Sequence, residues 1–220
     1  MNQIHNILLI LHIVAGSFGL VTGTINLIFR KSGARHRVMG IIFTIAMLLT
    51  GFSAIGLAWI NPSPFLFIVG VFTVYMVGTG YRYIRIRNSG GKKGPQIIDW
   101  ILTVGMAVVG IVFLVMGGYL GFNGDAFGVV YIVFGLISLL FVSADRTNYG
   151  GKSKIVNYWQ VAHLQRMIGA YIASVTAFLV VNSNGLTAFI PGWLFWLLPS
   201  IILTPLIIIW SRKYGVVKGK

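Results

Sequence analysis

Apolar residues fill this chain in long runs broken by short polar punctuation. Cutting the runs at Gly, Pro, Asn and charge clusters gives seven stretches. They fall at about 6–29, 38–60, 65–86, 96–119, 126–143, 159–181 and 192–210. Each approaches or exceeds the about twenty apolar residues that carry a helix across a bilayer. The pattern predicts an all-α integral membrane bundle of seven transmembrane helices in a single domain, 1–220. The links are short, so consecutive helices are expected to neighbour one another antiparallel.

Some stretches show a definite face. In the first, His5, Leu9, His12, Gly16, Gly19, Gly23, Asn26 and Arg30 recur every third or fourth residue. Glycines on one face let helices approach closely where no hydrophobic force drives them together. Gly16, Gly19 and Gly23 therefore predict a packing seam, and His12 on that seam should face protein. In the sixth stretch His163, Met167, Ala170, Ser174 and Ala177 share a face. The seventh contains Pro199 and Pro205, each of which removes a backbone donor and favours a kink.

Composition agrees with the pattern. The chain is 57% hydrophobic and 9% charged, against roughly 25% charged in a soluble domain. It has no cysteine, which excludes disulfides, thiolate metal sites and cysteine nucleophiles. The opening "MNQIHN" has no positive n-region and no cleavage site follows, so the first run is expected to be a retained span.

The net charge of +14 could suggest nucleic acid. Its distribution gives another reason. Arg30, Lys31, Arg35 and Arg37 lie between spans one and two. Arg82, Arg85, Arg87, Lys92 and Lys93 lie around the junction of three and four. Arg146, Lys152 and Lys154 lie between five and six, and Arg212, Lys213, Lys218 and Lys220 follow seven. The links "NPSP", "GFNGD" and "NSNGLTAFIPG" hold none. Sixteen of the seventeen basic residues thus fall on one side, and the exception, Arg166, sits near that side of span six. The positive-inside rule then expects an outside N-terminus and a cytoplasmic C-terminus. Anionic lipid headgroups are the expected partner of the basic side. Trp59, Trp193 and Trp196 near one set of span ends, and Trp100, Trp159 and Trp210 near the other, resemble aromatic belts.

The inventory narrows the chemistry. There is no Glu, and the acids are Asp99, Asp125 and Asp145. None is expected in mid-membrane, which counts against a carboxylate-driven carrier. Every lysine is in a basic link or the tail, so no retinal Schiff base can form inside the bundle. "GGKKG" at 90–94 reads as a cytoplasmic turn, since no strand–loop–helix frames it.

One constellation remains. His36, Arg37, Asp99, Asp145, His163 and Arg166 could share an inner-leaflet layer. Intramembrane ionisable groups are costly and usually pair or serve a function. His36 and His163 could ligate a haem b iron on both faces, with Arg37 and Arg166 meeting the propionates, giving a redox role. His36, His163, Asp99 and Asp145 could instead hold a divalent metal with an open position. The layer could also bind a small anion or lipid headgroup through Arg37 and Arg166. Finally, Asp145 and Arg166 could simply form an ion pair with nothing bound. His5 and His12 are further candidates on the outer side, although one helix supplies both.

"HIVAGSFGLVTGTINLIFRKSGARHRVMGIIF", "YRYIRIR", "HLQRMIGAYIASVTAFLVVN" and "WLLPSIILTPLIIIW" resemble segments of a bacterial family of uncharacterised multi-pass membrane proteins with domain of unknown function 2306. The resemblance implies a bacterial inner-membrane location and no assigned reaction. It singles out His12, His36, Arg37, Gly40, Asp99, His163, Arg166, Met167, Asn182 and Pro205. The histidine arrangement also loosely resembles cytochrome b561-type proteins, where neighbouring helices hold haem.

Overall fold

A computed structural model describes residues 3–29, 32–88, 94–183 and 191–217, without the side chains at 87, 88 and 193. Arg30, Lys31, Lys92, Lys93, Lys218 and Lys220, the side chains of Arg87 and Trp193, residues 90–93 of the "GGKKG" turn and residues 184–190 of the last link lie outside it.

The chain folds as seven α-helices: α1 Gln3–Ile28, α2 Ala34–Ile60, α3 Pro64–Asn88, α4 Ile97–Phe122, α5 Gly128–Tyr149, α6 Tyr158–Asn182 and α7 Gly192–Tyr214. All seven contain segments long and apolar enough to cross a membrane, from 21 to 27 residues. The protein is thus an all-α, multi-pass membrane protein. Among the described residues the extended pairing amounts to one isolated antiparallel bridge, Ile155 with Val217.

Local chemistry sets several helix ends. Pro64 opens α3, where its missing N–H costs nothing, and the Ser63 hydroxyl accepts from the Leu66 N–H at 3.4 Å. Helices α4 and α5 both close in the same way. Gly124 takes φ 79° and Gly151 φ 69°, a left-handed conformation that favours glycine. Around them Asp125 donates to the Leu120 carbonyl and Gly124 to that of Gly121, as Lys152 does to Thr147 and Gly151 to Asn148. These pairs satisfy the orphan carbonyls of each last turn.

The sequence reading stops the fifth span at 143, but α5 continues to Tyr149. Asp145 and Arg146 are therefore inside the helix rather than at its limit. The carboxylate can stay there because other side chains meet it, as described below. Pro199 and Pro205 are both held inside α7.

Two compact units make up the chain. The first is Met1–Gly80 with Leu164–Tyr214, and the second is Tyr81–His163 with Gly215–Lys220.

In the first unit α1 and α2 pack antiparallel. Going along α1, His5 meets Asn61, Gly16 faces Thr50, Gly19 lies against Met47, and Gly23 against Phe43 and Tyr171. Each step along α1 is matched by a step back along α2. The opposite side of α1, with Ile4, Ile7, Ile10, Val14, Phe18 and Val21, is exposed. Such an apolar surface is a liability in water and the expected lipid-facing surface of a span. Buried hydroxyls here turn back on their own helix: Thr22 donates to the Phe18 carbonyl, Thr44 to that of Gly40 and Thr79 to that of Tyr75. That satisfies them where no water is available. On α2 and α3, Gly51 and Gly70 bring the two backbones together: a Cβ on Gly70 would stand 3.0 Å from the Gly51 carbonyl oxygen.

In the second unit α4 and α5 form another antiparallel pair, described with its buried carboxylates below.

Candidate functional site

In the first unit the polar groups lie on the α1–α2 seam. His12 is the tenth residue of α1, about 14 Å from its start at the helical rise of 1.5 Å per residue. Its Nδ1 is 3.1 Å from the Thr50 carbonyl oxygen and 3.1 Å from Ser53 Oγ. The Ser53 hydroxyl itself donates to that same carbonyl at 3.0 Å. A carbonyl only accepts, and the serine proton is already used, so Nδ1 carries the hydrogen and donates to both oxygens. The neutral ring then bears its lone pair on Nε2, which has no protein partner among the described residues. His5, two turns nearer the start of the helix, has the other arrangement. Its Nδ1 accepts from the Asn61 amide at 3.1 Å, which places its hydrogen on Nε2.

The expectation that His12 faces protein is met. Arg166 is 2% exposed. Its guanidinium lies 5.0 Å from the centre of the Tyr75 ring, and Nη1 is 3.8 Å from the Met76 sulfur. An aromatic face attracts a cation, most of all where water is excluded. His36 is half-buried in the first turn of α2, with Arg37 exposed beside it and Arg35 placed over the Phe29 ring at 5.1 Å.

In the second unit the carboxylates of Asp99 and Asp145 are fully buried, each at 0% exposure, while Asp125 is exposed. Asp99 accepts from Arg82 Nε on Oδ1 at 2.7 Å and from Arg82 Nη2 on Oδ2 at 2.8 Å. This two-pronged geometry suits guanidinium and carboxylate and is among the stronger polar contacts a protein makes. Asp99 Oδ2 also accepts the Gln96 backbone N–H at 2.7 Å, completing a capping box at the start of α4. Arg82 reaches Gln96 Oε1 as well, at 2.8 Å.

Asp145 accepts from the Tyr83 hydroxyl at 2.6 Å and from Thr103 Oγ1 at 3.2 Å. Tyr83 in turn accepts from the Asn148 amide at 3.2 Å. Its ring is packed beside Tyr149, at 5.5 Å between centres, and Tyr158, at 6.3 Å. Thr103 is one turn after Asp99 on α4, so one face of that helix serves both acids. The bonds tie the end of α3, the start of α4 and the end of α5. Carboxylates engaged in this way serve as structural ties.

Beyond these acids α4 and α5 touch backbone to backbone. A Cβ on Gly117 would come 2.8 Å from the Gly128 carbonyl oxygen, and one on Gly135 would come 3.0 Å from that of Gly110. Thr103, Gly110 and Gly117 repeat every seven residues, as do Gly128 and Gly135. This seam is missing from the sequence reading. Hydropathy hides it, because α4 is apolar all round; glycine spacing was the available signal. Tyr83 and Thr103, the partners of Asp145, are missing from it too.

The expected layer of six residues is distributed between the units. His36, Arg37 and Arg166 belong to the first; Asp99, Asp145 and His163, half-buried in the second turn of α6, belong to the second. No group of three or more His, Asp or Glu side chains able to hold a metal occurs among the described residues. No protein-family model, curated protein or solved structure matches this chain.

Proposed function

We propose that this membrane protein is a binding or transport protein whose working group is His12, exchanging a proton or a small hydrogen-bonding ligand at Nε2. The supporting observation is the fixed tautomer. Thr50 and Ser53 hold Nδ1–H, orienting the ring and leaving one basic nitrogen on an imidazole set well inside a span. Ionisable groups are retained inside membranes chiefly where they pair or work. The buried acids of the second unit are engaged by Arg82, Gln96, Tyr83 and Thr103. His12 differs from them in having a nitrogen without a partner among the described residues.

The test uses the full chain reconstituted in lipid with ¹⁵N-labelled histidine. The expected result is an Nδ1–H signal for His12, with Nε2 gaining a proton as the medium is acidified. Proteoliposomes with a pH dye sealed inside should respond to an imposed gradient. The response should vanish in His12→Gln, which can still donate to Thr50 but cannot take up a proton. A silent Nε2 together with proton flux equal to that of empty liposomes overturns the reading. A Soret band in the purified protein, lost in His36→Ala or His163→Ala, would replace it with haem binding.

A further inference from the structure

The second unit contains a small feature that neither the helix seams nor the buried acids explain. Just after α7 the chain turns back and pairs with the α5–α6 connection. Val156 donates its N–H to the Val216 carbonyl at 2.7 Å, and Val216 donates to Asn157 Oδ1 at 2.8 Å. With the Ile155–Val217 bridge this makes a short two-stranded ribbon. Asn157 is itself fixed to the start of α6, since its side-chain amide donates to Gln160 Oε1 at 3.1 Å and its carbonyl accepts the Gln160 N–H at 2.9 Å.

The ribbon presents valines outward. Val156 is 54% exposed, Val216 57% and Val217 46%. Lys152 and Lys154, also exposed, lie on the same connection. Residues 150–157 and 215–217 contain no acid. Because α5 and α6 are both spans, the eight residues joining them sit at a membrane boundary. Tyr158 and Trp159 open α6 beside it, residue types that favour headgroup depth.

We infer that this ribbon is an interfacial anchor for anionic lipid. The three valines enter the boundary between headgroups and acyl chains. Lys152 and Lys154 lay their stems along the same surface and bring their ammonium groups to lipid phosphates. Water suits the lysines and not the valines, and the acyl core suits the valines and not the lysines. The headgroup layer of an anionic leaflet suits both, because its negative surface potential attracts each lysine near the surface. The ribbon's bonds to Asn157 connect the end of the chain to the α5–α6 turn, so lipid binding there also holds the tail.

The chain has no cysteine, so Val216→Cys takes a polarity-sensitive fluorophore at one site. In nanodiscs of phosphatidylglycerol its emission should shift to the blue and be quenched by lipids with a spin label high on the acyl chain. In phosphatidylcholine the shift should shrink. It should shrink equally in phosphatidylglycerol when Lys152→Glu and Lys154→Glu are added. Equal emission in both lipids, no response to the charge reversals, or a shift in phosphatidylcholine on adding inorganic phosphate would each overturn the inference. The last would mean a soluble-anion site.

Discussion

The α1–α2 pair and the α4–α5 pair solve the same problem with different tolerance. Both are antiparallel, both are lined with glycine, and neither can rely on hydrophobic exclusion, because lipid is as apolar as their side chains. In α4–α5, glycine meets backbone: Gly117 lies against the Gly128 carbonyl and Gly135 against that of Gly110. The far end is closed by Asp145 on Thr103 and Tyr83. In α1–α2, glycine meets side chains instead, with Gly19 against Met47 and Gly23 against Tyr171 and Phe43. Its polar contacts are neutral ones at His12 and His5. A methionine can move to make room and a peptide carbonyl cannot. The α4–α5 seam is rigid; the α1–α2 seam can adjust, and it holds His12, whose Nε2 has no partner among the described residues.

The comparison breaks most readily at Asp145. Asp145→Ala leaves two buried hydroxyls without their acceptor and should cost about 3 kcal/mol, read as a lowered midpoint in reversible unfolding from detergent or bicelles. A loss under about 1 kcal/mol would mean that the glycine contacts alone hold the unit. Next comes Gly117→Ala. The new methyl would meet the Gly128 oxygen at 2.8 Å and the Ile132 nitrogen at 2.9 Å, for an overpacking cost of about 2 kcal/mol. Its neighbour supplies the control. Gly118 has nothing within 4 Å of a built Cβ, so Gly118→Ala should be neutral or gain up to about 1 kcal/mol from helix propensity. Gly19→Ala should cost less than Gly117→Ala, below about 1 kcal/mol, because the Met47 side chain can swing away. If Gly19→Ala costs as much as Gly117→Ala, the contrast between a rigid and an adjustable seam is wrong.

Much of this fold is legible in the sequence, because lipid imposes a simple rule. A span must be long, apolar and helical, so the runs locate all seven helices to within a few residues, apart from the end of α5. That exception is physical. A charged pair usually marks a membrane boundary, but Asp145 is accommodated by Tyr83, 62 positions earlier in the chain, and by Thr103. Neither partner announces itself locally. The direction of His12 was legible from the glycines that share its face. Its partners were not, since Thr50 and Ser53 resemble any other small polar residues within an apolar run. His36 and His163 became candidates through their expected depth. Depth makes a residue a candidate, and only its neighbours fix its role.

Asp99 has one more implication. Its carboxylate receives the last turns of α3 through Arg82 and the first turn of α4 through the Gln96 N–H. The two helices are thus stapled on either side of residues 90–93, and their register does not depend on the peptide that joins them. A chain cut there should reassemble from two separately expressed pieces, and a reporter domain inserted there should leave the helices in place. One aspartate would then keep the alignment of the two helices.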